Sequence, residues 1–472
     1  MNCILINPPW STRKGNVWSS IRSTMPPLGL LYLAAVLEQE KIEAGFFDFQ
    51  ANLMDWNEIE EQIKNWQYDV YGISATTAIV KNAYRIVRLI RRHHPKANIV
   101  MGGVHPSSMP EEALTNGADV IVRGEGEEIF LAYMREQPIT AIQGVSYKIG
   151  DKFIHQGPSG IIDDLNLLPS PAYGKIDFSK YEPAVGAFKR LPAISMTATR
   201  GCPARCTFCN SANLKIRKRS AENIFKEMEM LATQYGIKEI SFYDDTFTVY
   251  PTNIKKLCQL LIDNKTDLTW SCFARVDYVT EELLTHMKAA GCHQVMYGIE
   301  SASEIILENI KKNIEIEHNK RAVKLTKKLG ITTRCTFMFG SPGETEETIE
   351  QTIKYAIDLN PDIALFNITT PYPGTEMFDW AKNEGYLTTE DWDKYDLSWP
   401  VMVLPTISPE AIVAKYHTAF KRFYLRPSVV LMKILSLRSL SDFKILFGGV
   451  RNFLTFLFKK PVTKPAAEAP SK

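Results

Sequence analysis

Short apolar runs bounded by turn residues, each followed by a stretch of helical periodicity, recur from the first residues of this chain, and nothing else in it limits the fold so strongly. Cys3-Ile4-Leu5-Ile6-Asn7 predicts a strand, ended by Pro8-Pro9. A helix is predicted over 28–39, where Leu30, Leu31, Ala34, Ala35 and Leu37 repeat at helical spacing. Strands follow at 44–49, 69–75, 98–103 and 119–123, with helices near 57–66, 79–93 and 109–116. Alternation at this pace implies a parallel sheet covered by helices on both faces, with right-handed crossovers. Residues 1–140 therefore read as a Rossmann- or flavodoxin-like α/β domain.

Ligands of such sheets bind beyond the carboxyl ends of the strands. Those ends carry Asn7-Pro8-Pro9, Ser74-Ala75-Thr76-Thr77, Gly102-Gly103-Val104-His105 and Arg123-Gly124-Glu125-Gly126. Small residues, hydroxyls and glycines gather there. A GxGxxG fingerprint is missing, which argues against a dinucleotide. His105 is the histidine at a strand end. A lone histidine in a loop more often serves structure than binds a ligand, and both readings stand at this point.

Residues 141–189 read as a strand-rich linker, in which 145–149 and 152–155 flank a Gly150-Asp151 turn and 163–171 is loop-like. From 190 the alternation resumes. Strands are predicted at 193–199, 239–245, 268–275, 294–300, 332–339 and 363–370, with helices near 220–235, 252–264, 280–290, 303–309, 316–329 and 345–359. Just past the first of these strands lies Arg200 to Asn210, RGCPARCTFCN, with Cys202, Cys206 and Cys209 in C-x3-C-x2-C spacing. Three thiolates this close cannot pair off as disulfides without a remainder. They suit three corners of a [4Fe–4S] cluster and leave one iron open. A structural zinc site would want a fourth ligand at motif spacing, which is not there. A zinc knuckle and a buried cysteine cluster are the rival readings.

With Phe208 before the last cysteine and a strand leading in, this arrangement resembles the radical S-adenosylmethionine (radical SAM) superfamily. In the first domain NPPW, MPPLGLLYLA, GGVHPS and RGEGE resemble the cobalamin-binding domain that precedes many such enzymes. The chain as a whole is similar to the branch containing the anaerobic magnesium-protoporphyrin monomethyl ester cyclase and hopanoid-modifying enzymes. The resemblance implies a partial (β/α)6 barrel over 190–385, with its active groups at the C-terminal strand ends. It implies a cluster on Cys202, Cys206 and Cys209 whose open iron chelates SAM, and reductive cleavage of SAM to a 5′-deoxyadenosyl radical. It places Tyr243, Asp244 and Asp245 near the SAM amino group, Arg275 on the carboxylate, Glu300 and Ser301 on the ribose, and Gly340 against the adenine. A helix-capping role for Asp245, a salt bridge from Arg275 to Asp277 and a plain βα turn at Gly340 are the structural alternatives. Cobalamin contacts are implied for Ser74, Thr76, Thr77, Gly102, Gly103, His105, Gly124 and Glu125. The DxHxxG sequence that supplies a histidine below cobalt in many such domains is replaced by PPWSTRKGN, so that ligation is not implied.

Two reactions follow from the resemblance: methyl transfer or C–C bond formation at an unactivated centre, or oxidation or cyclisation begun by hydrogen abstraction. A non-catalytic corrinoid or iron–sulfur sensor is the rival of a different class. An electron donor such as flavodoxin or ferredoxin and a small-molecule or lipid-like substrate are the implied partners.

Composition excludes little more. The net charge of +2 provides no global field for nucleic acid. Cys3, Cys258, Cys272, Cys292 and Cys335 stand singly in apolar stretches and read as buried thiols of a reducing, cytoplasmic compartment. No apolar run is long enough to span a membrane. A helical region is expected over 386–460, with a helix near 409–424, and a disordered Pro/Ala/Lys-rich tail over 461–472. Within it, 426–460 carries basic residues opposite an apolar face rich in Phe. That pattern predicts either packing on the barrel or peripheral contact with an anionic membrane.

Overall fold

The computed structural model describes residues 1–11, 23–184, 186–427 and 429. Its first sheet contains β1 (Cys3–Asn7), β2 (Ala44–Asp48), β3 (Val70–Ser74), β4 (Asn98–Gly102), β5 (Val120–Val122), β6 (Val145–Ile149) and β7 (Lys152–His155), in the order β2-β1-β3-β4-β5-β6-β7. Strands β1 to β5 are parallel, as the alternation predicts. The hairpin of β6 and β7 then adds antiparallel strands to the β5 edge. The residues expected to begin a linker thus continue this sheet. After β2 the chain crosses to the far side of β1 to form β3, which makes the β1–β3 junction a topological switch point. There the crossover loops diverge and leave a crevice.

The second series begins with β8 (Ala193–Met196). A short antiparallel pair, β9 (Thr199–Arg200) and β10 (Arg217–Lys218), brackets the cysteine loop. The parallel series continues with β11 (Glu239–Phe242), β12 (Thr269–Ala274), β13 (Cys292–Glu300), β14 (Thr332–Phe339) and β15 (Ile363–Ile368). These six strands pair in the sequential order β15-β14-β13-β12-β11-β8. Each is followed by a helix that packs its apolar stripe on the outside, so the sheet curls as a partial barrel. The outer face is dry: Cys335, Phe337 and Phe339 of β14 are fully buried under helices, while alternate residues face the concave side. Local signals set the helix ends. Asp55 and Glu58 form a capping box at the start of helix 56–64, and Asn360 in left-handed conformation stops helix 346–359.

Helices 104–108, 126–134 and 376–383 are present where no helix is predicted from sequence. The last of these opens a segment that joins the two halves. Phe378, Trp392, Tyr395 and Val401 pack into the same buried cluster as Ile73, Ile79 and Tyr84 of the first domain. The Trp392 indole donates to both Glu112 carboxylate oxygens at 2.9 and 3.1 Å, and its ring meets the edge of His105 at 5.0 Å.

That contact favours the structural reading of His105. Its ring is fully buried, bonded to Thr77 Oγ1 at 3.1 Å and facing Glu112 at 3.5 Å. It belongs to the seam with the 392–401 segment and not to a ligand mouth. No described helix is long and apolar enough to cross a membrane. The helix at 409–424 forms as predicted and packs against helix 346–359 and β15. The basic amphipathic pattern of 426–460 and the tail 461–472 lie, all but a few residues at its start, outside the described residues.

Candidate functional site

The cysteine loop leaves β9 through Gly201, whose φ of +91° is a conformation that glycine adopts without a Cβ penalty. A Cβ there would run into the Lys215 carbonyl, so the turn needs this residue. The loop is held from beneath: Thr207 donates its N–H to Ile310 O at 3.0 Å and accepts from Met377 N at 2.9 Å. Cys202 and Cys206 are buried, Cys209 is partly exposed, and all are free thiols. Burial pushes the Cys206 thiol up, while the Lys312 and Arg275 charges pull it back; burial likewise raises Cys209. Among the described residues no three His, Cys, Asp or Glu side chains converge as ligands of a single ion. A cubane cluster binds each thiolate at a separate iron, so an all-sulfur donor set spread along one loop fits it better than zinc.

Asp244 turns out to serve this loop from behind. It is buried and accepts from the N–H of Ala198 at 2.9 Å and the Thr199 hydroxyl at 2.6 Å, as well as from the Thr199 N–H. Burial outweighs these donors and raises its carboxyl to about 7. It is therefore a brace for the residues entering the cysteine loop, with its oxygens engaged by donors from within the chain. Its neighbour Asp245 is exposed, and its charge is felt at Cys209. Tyr243 is about half exposed, with its ring 5.2 Å from Phe273.

The next strand ends converge on the same mouth. Arg275 forks onto Asp277 at 3.0 and 3.1 Å, the salt-bridge alternative noted above. Glu300 has a φ of +68°, a strained conformation for a non-glycine residue, and ends β13 with its carboxylate turned inward. It accepts from Lys312 Nζ at 3.1 Å and from Thr336 Oγ1 at 3.4 Å. Gly298 allows this, since a Cβ there would collide with the Glu300 carboxylate. Lys312 went unnoticed in the sequence because its place in a turn of charged residues gives no sign that it is buried. Ser301 is buried, shares a hydrogen bond with Thr352 Oγ1 at 3.2 Å and accepts from Ser303 N. Gly340 turns at φ +87° beside Ile412, 3.1 Å from where its Cβ would stand.

At the switch point of the first sheet lies a cavity of about 370 Å³. Ser74, Gly102, Gly103, Gly124 and Glu125 line it, together with apolar Leu5, Leu30 and Phe130. A Cβ on Gly103 would meet Ala75 O at 2.7 Å, so the close approach of these two strand ends needs glycine there. Thr76 and Thr77 stand outside this lining; Thr76 is exposed and Thr77 serves His105. Glu125 lines the cavity with its carboxylate already committed. It takes a bidentate pair from Arg217 at 2.7 Å, a contact from Arg200 at 3.4 Å and the Ile162 N–H at 2.9 Å. Arg200 in turn binds Glu127 at 2.6 Å. Four charged groups thus stitch the first domain to the residues flanking the cysteine loop. Arg200 and Thr197 form part of the cavity wall.

An all-thiol loop at the strand ends of a parallel partial barrel is the layout of an iron–sulfur enzyme. Comparison with known proteins narrows that class. Residues 196–356 match the radical SAM superfamily, and residues 17–134 match the B12 binding domain. An uncharacterized methyltransferase of Pyrococcus horikoshii is 36% identical over 444 residues, 92% of this chain and 95% of the relative. The anaerobic magnesium-protoporphyrin IX monomethyl ester cyclase of Rubrivivax gelatinosus is 28% identical over 424 residues, 86% of this chain and 75% of the relative. The solved structure of the cobalamin-dependent SAM radical enzyme OxsB shares the fold, with a TM-score of 0.73 and 18% identity, covering 96% of this chain and 71% of that one. The chain belongs to the radical SAM superfamily, in the group that carries a cobalamin-binding domain. It is an enzyme with a [4Fe–4S] cluster, SAM and cobalamin as cofactors, which sets aside the sensor reading.

Proposed function

We propose that this chain transfers a methyl group to an unactivated carbon of a small-molecule substrate. The observation that carries the reading is the shared wall: Arg200 lines the first-domain cavity and stands two residues before Cys202, so the two cofactor sites adjoin. Cys202, Cys206 and Cys209 would hold the cluster. Tyr243, Asp245, the Glu300–Lys312 pair and the backbone at Gly340 would surround SAM. Ser74, Gly102, Gly103 and Gly124 would receive cobalamin. When bound, the cluster and SAM supply a hydrogen-abstracting radical and cobalamin supplies the methyl group. The protein's part is placement. The Glu125–Arg217 and Glu127–Arg200 pairs fix the first domain against the cysteine loop. Leu5, Leu30 and Phe130 give the cavity an apolar wall.

The cyclase relative favours a second reading, oxidation without methyl transfer. Anaerobic reconstitution followed by mass spectrometry of SAM-derived products separates the two. Methyl transfer yields 5′-deoxyadenosine together with S-adenosylhomocysteine, whereas 5′-deoxyadenosine alone would favour oxidation. Either course needs an external one-electron donor of the flavodoxin or ferredoxin type.

A lipid-like substrate and peripheral membrane contact rest on the charge pattern of 426–460, where each basic residue near an anionic surface contributes about 1 kcal/mol. The full chain should then co-sediment with anionic vesicles, and a chain ending at Leu425 should not. Equal behaviour of the two would dismiss the idea.

A further inference from the structure

The concave face of the barrel carries a cation that no described acidic side chain neutralises. Arg334 lies on β14, two residues before Thr336 and on the same side of the strand. Thr336 touches Glu300, so that side faces the reaction mouth. The register aligns Arg334 with Met296 of β13, which pairs in turn with Phe273 of β12, and Tyr243 leans on Phe273. The guanidinium therefore sits one layer below Arg275 and Glu300, among apolar and aromatic neighbours.

Two other cations of this face are paired: Arg275 with Asp277 at 3.0 Å, Lys312 with Glu300 at 3.1 Å. Arg334 forms no ion pair among the described residues, and its Nε is shut off from solvent without a hydrogen-bond partner. Burial holds its ionisation below the ordinary guanidinium value, with the Tyr243 and Tyr424 phenols as its titratable neighbours. Outside the described residues the sequence offers only Asp442 and Glu468 as acidic side chains. A partly buried charge without a partner is costly and is retained where something else supplies the counter-charge.

We propose that Arg334 receives a carboxylate of the substrate, whose apolar body lies against Tyr243, Phe273 and Met296. This rests on the barrel being the reaction site. A guanidinium offers two parallel donors to a carboxylate. A single unpaired cation matches a monoanion, while a phosphate dianion would want a second.

The test uses the full chain, purified anaerobically with its cluster, and follows the thermal midpoint as sodium acetate, inorganic phosphate or chloride is added at matched ionic strength. Wild type should be stabilised by acetate beyond chloride. Arg334→Met should lose that response, its acetate affinity falling about tenfold or more, and Arg334→Lys should keep part of it. Without added anion, Arg334→Met should melt at or above the wild-type temperature, because an uncompensated charge is gone. A lower midpoint would mean that the chain itself already pairs Arg334, and would overturn the proposal. So would a response to phosphate stronger than to acetate, or a matching loss of SAM affinity in equilibrium dialysis, which would assign the arginine to the cofactor. Failure of the barrel to cleave SAM at all would appear in wild type, separately from these outcomes.

Discussion

Replacing Cys202, Cys206 and Cys209 together by Ala should abolish the iron–sulfur chromophore of reconstituted protein and all cleavage of SAM. The remaining cysteines offer no substitute. Cys3, Cys258, Cys272, Cys292 and Cys335 are buried in the cores, and burial pushes Cys3 and Cys258 up to about 12. Thiols so far from ionising cannot replace thiolate ligands at neutral pH. The loop keeps its shape through Gly201, Thr207 and Met377, none of which is changed, so circular dichroism should match wild type. Iron analysis decides the matter: about four irons per chain persisting in the triple variant would show that the cluster lies elsewhere.

The second large effect is expected at Asp244. Replacing it by Ala leaves the N–H groups of Ala198 and Thr199 buried with no acceptor. Each such loss costs about 1–3 kcal/mol, so the variant should be about 3–5 kcal/mol less stable in a denaturant titration. Because those residues lead into Gly201 and Cys202, its iron content after reconstitution should fall as well. The carboxyl also gives a pH signature. Its folded value of about 7 lies above its ordinary 3.8, so the folded state holds a proton that the unfolded chain has released. Asp244 therefore makes wild-type stability decline as pH rises from about 4 to 7, and Asp244→Ala should lack that component of the slope. A variant as stable as wild type, with the same pH profile, would show that the brace is dispensable.

Asp244 also shows what the sequence could and could not tell. Paired acids after a strand read equally well as acceptors for a bound ammonium, because the N–H groups that Asp244 satisfies lie more than 40 residues earlier in the chain. Ser301, Glu125 and His105 went the same way. Each sits at a strand end where ligands bind, and each proves to be occupied by a partner contributed from elsewhere in the fold. The strands themselves were legible, since apolar runs of this length with flanking helices admit few alternatives. The cysteine loop stood out as well, because three cysteines in C-x3-C-x2-C spacing are conspicuous wherever they fold. Short helices such as 104–108 and 376–383 were not legible, because a turn or two of helix has no periodicity to detect and is stabilised by what it packs on. Arg334 did leave a trace: a lone charge among Cys335, Phe337 and Phe339, set on the opposite parity of an apolar strand.

The seam between the halves has a consequence for how such a protein can be taken apart or inherited. Trp392 and Tyr395 complete the core of a domain whose sheet ends about 240 residues before them, and Arg200 and Arg217 find their carboxylates on that same domain. A fragment stopping near residue 140 would present an unfilled apolar face. The complementary fragment would leave the Arg200 and Arg217 guanidiniums without their counter-ions. The two modules are consecutive in the gene but interleaved in space, so neither can be exchanged for a relative's module unless the distant segment that seals it is exchanged too.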